Sequence, residues 1–300
     1  VACLPNHANL KLEYFDASRL ADWTNRHPGV VLWVLDRLGR ATFGYRPFGA
    51  WSAPTQTTEE SYLVDETARV VDCTVDESVT VSVVEGLERT RQALGQCRGI
   101  VRLVGLSGMG KTRFAQALFD ERIGDAALDP RAVVYTDIAD EPDPSAREVL
   151  ARLAVAKSKV VLIVDNCGPD VHRTLTRDLL RSQAQLSLLT IEFDVTDDEP
   201  DETEVFRLTK SSNGLIHELL KYRRPQVSIL DRGRIADWSD GNTRLALSIA
   251  RTLRPGESIS RLSDRELFER LFHQRQGSDP ELEKAAEAAA LVYSFDVETA

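Results

Sequence analysis

The stretch Gly105-Leu106-Ser107-Gly108-Met109-Gly110-Lys111-Thr112 reads G-x-x-x-x-G-K-T. That spacing builds a phosphate-binding loop, because glycines let the backbone curl until successive N–H groups converge on one anion. The flanks decide whether the pattern is a mechanism. Before it, Ile100-Val101-Arg102-Leu103-Val104 is an apolar run that predicts a buried strand. After it, Arg113-Phe114-Ala115-Gln116-Ala117-Leu118-Phe119 predicts an amphipathic helix whose N-terminus adds positive partial charge. In such a loop Lys111 reaches the β- and γ-phosphates and the Thr112 hydroxyl ligates Mg²⁺. The expected nucleotide contacts are therefore Gly105, Ser107, Gly108, Met109, Gly110, Lys111, Thr112 and Arg113.

Downstream, strand and helix patterns alternate. Ala132–Tyr135, Val160–Val164 and Gln185–Ile191 predict strands. Asp143-Pro144 predicts the start of a helix running to Ala154, with an N-cap followed by proline in the first turn. Val171 to Arg181 predicts another. Continuous apolar strands separated by helices indicate a parallel sheet covered on both faces. Val160–Val164 runs directly into Asp165, a Walker B pattern in which the strand's C-terminal end brings a carboxylate beside the loop to hold Mg²⁺. Lys111, Asp165 and Glu192 are the catalytic candidates, and Thr112 and Asp165 the metal candidates.

Asn166 follows Asp165, where many ATPases carry a glutamate that polarises the attacking water. An amide cannot accept that proton, so slow hydrolysis is expected unless Glu192 or Asp194, after the next strand, substitutes. Thr190 is the candidate γ-phosphate sensor at the end of that strand. An arginine is expected to meet the γ-phosphate. Arg207, Arg223, Arg224 and Arg244 are all available. The run from Asp194 to Glu204 is strongly acidic and reads as a solvated loop. Beyond about residue 205 strands are expected to give way to helices, at Ile216–Lys221, Ile235–Trp238, Leu245–Ala250, Leu267–Phe272 and Leu282–Leu291.

Composition narrows the function. Of the 300 residues, 47 are acidic and 37 are Lys or Arg, for a net charge of −10, which argues against a broad nucleic-acid-binding face. No apolar run approaches the ~18 residues of a membrane span. Cys3, Cys73, Cys97 and Cys167 form no C-x-x-C pair and fit a reducing cytoplasm. The five histidines form no zinc motif. Residues 1–55 hold Tyr14, Phe15, Trp23, Trp33, Phe43, Tyr45, Phe48 and Trp51 with few interleaved basic residues, and read as a small packed module. Within it Asp16 or Ser18 caps a helix that stops at His27-Pro28-Gly29. Residues 56–96 read as a linker with short strands at 70–75 and 79–83 and a short helix at 87–94.

The order of these elements resembles the STAND class of P-loop ATPases, signal-transducing relatives of AAA+ proteins. The resemblance covers about residues 85 to 300 and is most specific over Val101 to Phe119. Asp240-Gly241-Asn242-Thr243-Arg244-Leu245-Ala246-Leu247 is similar to the class's lid motif, with Thr243 in place of its usual proline. Thr190-Ile191-Glu192 departs from the Thr-Thr-Arg or Thr-Ser-Arg usual at the sensor strand. The implied fold is α/β: a parallel-sheet P-loop NTPase core (ASCE/AAA+-like) at 97–205, a helical lid at 206–285, a small N-terminal α+β module, and at 286–300 the start of a winged-helix domain. The chain reads as a fragment of a longer protein.

The resemblance implies a regulatory switch that binds ATP or ADP with Mg²⁺. In such a switch ADP holds the closed state. A trigger ligand sensed elsewhere permits ATP exchange, self-association and activation of an N-terminal effector. Some bacterial members act in antiviral defence. The competing expectations are a P-loop kinase or phosphotransferase and a DNA-stimulated ATPase.

Overall fold

In a computed structural model of the chain, the structure describes residues 14, 16–40, 42–53, 64–74, 79–156, 159–193, 202–253, 258–259, 262–263, 265–267, 281 and 284. The readings made for Asp194 and most of the acidic run, for most of the two last helices and for 286–300 lie outside these residues. In chain order the elements are α1 (Ala17–Asn25), α2 (Pro28–Arg37), β1 (Tyr45–Arg46), α3 (Phe48–Ser52), β2 (Arg69–Asp72), β3 (Thr80–Ser82), α4 (Val83–Gly95), β4 (Ile100–Val104), α5 (Lys111–Ala117), β5 (Val133–Asp137), α6 (Ala146–Ala156), β6 (Val160–Asp165), α7 (Pro169–Arg181), β7 (Leu186–Ile191), β8 (Glu204–Leu208), α8 (Asn213–Arg223), α9 (Ile229–Ser239) and α10 (Thr243–Thr252).

The described strands form one sheet in the order β1-β5-β6-β7-β4-β8-β2-β3. Its centre, β5-β6-β7-β4-β8, is parallel throughout. β7 therefore separates the strand before the glycine loop, β4, from the strand ending in Asp165, β6. The expected parallel core is extended by antiparallel pairings, β1 on β5 and β2 on β8. The chain is an α/β protein with a P-loop NTPase-like core.

The sheet's two faces can be told apart from strand register. Val160, Leu162 and Val164 of β6 pack with Leu186 and Leu188 of β7 against Leu150 of α6 and Leu175 and Leu179 of α7. The odd-numbered neighbours point to the opposite face, because side chains alternate along a strand. Phe114 of α5 is fully buried, and burying such a ring contributes about 1.5–3 kcal/mol. Arg91 of α4, only 2% exposed, ties down the end of α5. Its guanidinium donates to the carbonyls of Ala117, Leu118, Asp120, Ile123 and Asp125 at 2.6–3.0 Å, so orphan carbonyls of the helix end and turn share one buried cation.

Several boundaries differ from the sequence expectation for physical reasons. The helix expected at Asp143-Pro144 begins at Ala146 instead. A capping box forms there: the Ser145 Oγ and N–H both donate to Glu148, and Glu148 N–H donates back to Ser145 Oγ. The helix expected at 87–94 starts earlier, at Val83, because Ser82 Oγ accepts from Glu85 N–H. Asp16 caps α1 by accepting from Arg19 N–H. Pro28, expected only to stop that helix, occupies the first turn of α2, where its missing N–H costs nothing. Strands do not end near 205: β8 runs to Leu208 and pairs parallel to β4.

The chain divides into two compact units. The first comprises residues 1–62, 70–105 and 111–208 and holds the strands just described. The second comprises 63–69, 106–110 and 209–300. Its core gathers Ile216 and Leu220 of α8, Ile235 and Ala236 of α9, and Ala246, Ile249 and Ala250 of α10. Asp231, 1% exposed, accepts from Ser258 Oγ and Ile259 N–H at 2.7 and 2.8 Å, which pins the segment after α10 to α9.

Candidate functional site

The first unit contributes Gly105, Lys111, Thr112, Asp165 and the strand ends around them. The Lys111 ammonium donates to the Gly105 carbonyl, so the lysine folds back across its own loop. Thr112 Oγ donates to Asp165 Oδ2 at 3.0 Å, which places the two expected metal ligands side by side. Asp165 is 8% exposed. Two further donors hold it: Tyr135 OH reaches Oδ2 at 3.3 Å, and Asn166 N–H reaches Oδ1 at 3.0 Å. Burial pushes the Asp165 carboxyl above its ordinary range and nearby Asp137 adds to the rise, while the Asn166 and Thr112 hydrogen bonds oppose it.

A hydroxyl and a carboxylate are hard oxygen donors of the kind Mg²⁺ takes when it is held by one or two protein groups and nucleotide phosphates. Among the described residues no group of three His, Cys, Asp or Glu forms an all-protein metal cage. The pair Thr112–Asp165 fits Mg²⁺ in that shared manner.

Asn166 has φ +51°, and its Nδ2 donates to Asp137 Oδ1 at 2.7 Å. The position after Asp165 therefore carries an amide turned toward β5. Glu192 is half-buried, and its Oε1 accepts from Phe193 N–H at 2.8 Å. Arg113 Nη1 donates to Gln116 Oε1 at 3.2 Å.

Thr190 is placed differently from the sensor expected of it. It is fully buried, and its hydroxyl lies 2.8 Å from His172 Nδ1. Register explains this: Thr190 pairs with Val164 and Arg102 and shares their face of the sheet, not that of Asp165 one residue on. His172 Nε2 is in turn 3.2 Å from Thr203 Oγ and 3.4 Å from Thr176 Oγ. Burial first, then the positive charges of Arg102 and Arg173, push the imidazole down to about 3, so it is neutral inside the fold.

The second unit contributes Leu106–Gly110 and the turn before α10. Asn242 Nδ2 donates to the Ser107 carbonyl at 2.9 Å. The Thr243 N–H and hydroxyl both donate to the Gly108 carbonyl, at 3.2 and 2.7 Å. Arg244 Nη1 donates to Ser107 Oγ at 3.0 Å. Among the four arginines left open by the sequence, Arg244 thus bonds to a loop residue. Gly108 has φ +88°, and a Cβ there would meet Asn242 Oδ1 at 2.1 Å, so only glycine admits this approach. Gly105 and Gly110 also have positive φ, at +138° and +90°. Thr243, where a proline was expected from the resemblance, uses the N–H that proline lacks.

Sequence reasoning missed Tyr135 as a partner of Asp165 in the first unit, and Asn242 and Thr243 as partners of Ser107 and Gly108 in the second. Tyr135 carried a signal, since it lies two residues before the end of the strand preceding β6.

Strand order and the glycine loop after β4 together define an α/β, P-loop NTPase-like core. No known protein family matches the sequence. No curated protein matches it either. Solved structures resemble it at low identity. One is the RuvB Holliday junction branch migration motor of Thermotoga maritima, 16% identical over 70% of this chain and 76% of that one, with a TM-score of 0.44. Another is a signal transduction ATPase with numerous domains carrying a tetratricopeptide repeat sensor, from Pyrococcus horikoshii. It is 12% identical over 74% of this chain and 36% of that one, with a TM-score of 0.40. A chain of the HORMA:CdnC:Trip13 complex of E. coli MS115-1 is 15% identical over 65% of this chain and 89% of that one, with a TM-score of 0.39. The class assigned to the core rests on its own sheet and loop.

Proposed function

We propose that the chain is a Mg²⁺-dependent ATP-binding switch that hydrolyses ATP slowly, of the STAND type. The observation that carries this reading is the Thr112–Asp165 hydrogen bond at 3.0 Å immediately after a glycine loop. In this reading the loop's N–H groups and Lys111 bind the phosphates, and Thr112 and Asp165 hold the metal. When bound, Mg²⁺ neutralises charge developing on the phosphates. Lys111 exchanges its Gly105 carbonyl for a phosphate oxygen, a stronger charge-assisted bond.

Two features support a switch over a fast hydrolase. Asn166 supplies no proton acceptor beside Asp165, and its amide is engaged by Asp137. The Asn242–Arg244 turn grips Ser107 and Gly108 through four hydrogen bonds, so the loop's conformation and that turn are mechanically one element. ADP retention, exchange for ATP on a trigger sensed elsewhere, and self-association then follow as the working cycle. A cytoplasmic setting belongs to the same proposal.

The test is to extract nucleotide from purified protein and then measure steady-state turnover. Retained ADP with less than about one turnover per second, below typical enzyme rates, is expected. A Glu192→Gln variant checks the substitute base: unchanged turnover assigns Glu192 no role. Phosphate transfer to a small molecule would replace the switch reading with a kinase. Strong stimulation by DNA would replace it with a nucleic-acid motor.

A further inference from the structure

We propose that Tyr135 is a positioning residue for the Asp165 carboxylate and that, through Trp51, it couples the metal site to the N-terminal module. The inference rests on the reading of Asp165 as the metal-holding carboxylate.

Tyr135 and Trp51 are 5% and 4% exposed, and their rings stack at 4.6 Å with an interplanar angle of 16°. The stack fixes the phenol ring, and its hydroxyl is aimed at Asp165 Oδ2, the oxygen that Thr112 also holds. Donors to one carboxylate oxygen from two elements, β5 and α5, leave the side chain little rotational freedom. Trp51 is anchored independently, because its carbonyl lies 3.4 Å from Gln116 Nε2 on α5. Phe48, on the same short helix as Trp51, meets Phe119 at 5.3 Å. The turn Phe48–Ser52 thus touches both the helix after the glycine loop and the strand beside Asp165. β1, just before it, pairs with β5 at Tyr45↔Thr136 and Arg46↔Tyr135. The expected separate packed module is built into the sheet through β1 and α3, with Tyr135 as the side chain between it and the carboxylate.

The expected consequence is a signal in both directions. A shift of the Asp165 carboxylate on holding a metal would be passed by the Tyr135 hydrogen bond to the phenol and by the stack to the Trp51 indole. Conversely, displacement of α3 by a partner of the N-terminal module loosens Asp165 and weakens metal retention without touching the glycine loop.

The test uses the full chain. ADP binding is measured by calorimetry in EDTA, and Mg²⁺ is then titrated into ADP-loaded protein by calorimetry and by tryptophan emission. For Tyr135→Phe, which keeps the stack and deletes only the hydroxyl, ADP affinity in EDTA is expected within twofold of wild type. The Mg²⁺ concentration for half-saturation rises about tenfold. For Trp51→Phe, Mg²⁺ still binds but the wild-type emission change disappears. A lesion that merely damaged the fold would lower ADP affinity in EDTA as well. Tyr135→Phe with wild-type Mg²⁺ dependence, or a wild-type emission change that survives Trp51→Phe, overturns the inference while the switch reading stands. Wild-type protein that binds no ADP overturns both.

Discussion

β6 and β7 are neighbouring parallel strands with a polar residue at or next to the C-terminal end, Asp165 closing β6 and Thr190 one residue short of the end of β7, yet these two residues do opposite things. Asp165 leaves β6 toward Thr112 and Tyr135. Thr190 on β7 turns to the other face and spends its hydroxyl on His172. One residue of pleat separates them, because Thr190 is level with Val164 rather than with Asp165. Position at a strand's C-terminal end therefore does not by itself make a residue part of a site. Its phase in the pleat, set by the strands on either side, decides whether it reaches the ligand or the core.

The largest expected effect separates the two ends directly. Asp165→Asn should weaken Mg²⁺ binding to the nucleotide-loaded protein about 10–100-fold while leaving nucleotide affinity in EDTA unchanged. Thr190→Val should leave both unchanged. A Thr190→Val variant with a metal or γ-phosphate defect would break the comparison and restore the sensor.

Stability should show the reverse ranking. Thr190→Val leaves His172 Nδ1 buried without its hydroxyl partner, at a cost of about 1–3 kcal/mol in urea denaturation. Asp165→Asn should have a pH signature instead. Its carboxyl is raised by burial, so its contribution to folding is greatest below the ordinary carboxylate range and is lost as pH rises through the raised value. Asn at this position should flatten that part of the stability profile of the nucleotide-free protein.

His172 gives the comparison a second pH signature of opposite sign. Its pKa falls from 6.5 to about 3 on folding, so the unfolded chain binds the proton first. Stability from this group is complete above 6.5 and drains away as pH falls toward 3. By pH 5 the loss is about 2 kcal/mol. His172→Gln should narrow the difference in Tm between pH 7 and pH 5, and an unaltered difference would contradict the assignment of a buried neutral imidazole.

The smallest effect concerns the turn before α10. Thr243→Pro suits the first position of α10 but deletes both bonds to the Gly108 carbonyl. ADP release is expected to quicken about two- to fivefold in stopped-flow chase, the equivalent of one weak net hydrogen bond. Unchanged release would show that the grip on Gly108 is incidental.

The sequence was most legible where chemistry and periodicity coincide. β4, the glycine turn after it, and β6 were readable because continuous apolar runs and a glycine pattern are written in consecutive residues. The pleat phase of Thr190 was not readable, since register with β4 and β6 is a tertiary fact. β8 was missed because a short strand directly after an acidic run carries little local signal, and only its pairing with β4 identifies it. The roles of Tyr135 and Asn242 escaped for the same reason. Each meets its partner 30 or 135 residues away in the chain, at Asp165 and Ser107. The helix start at Ala146 was misplaced because Asp143-Pro144 and Ser145 compete as caps, and only Ser145 has a glutamate three residues on.

The central claim is that residues 105–112 with Asp165 bind a magnesium nucleotide. Equilibrium titration of ATP, with and without Mg²⁺, against wild-type protein and Lys111→Ala tests it most directly. Wild type is expected to bind ATP more tightly with Mg²⁺ than without, and the variant to lose about 10–100-fold in affinity, the scale of one charge-assisted bond. Folded wild-type protein that binds no nucleotide, or a Lys111→Ala variant that binds as well as wild type, would contradict it.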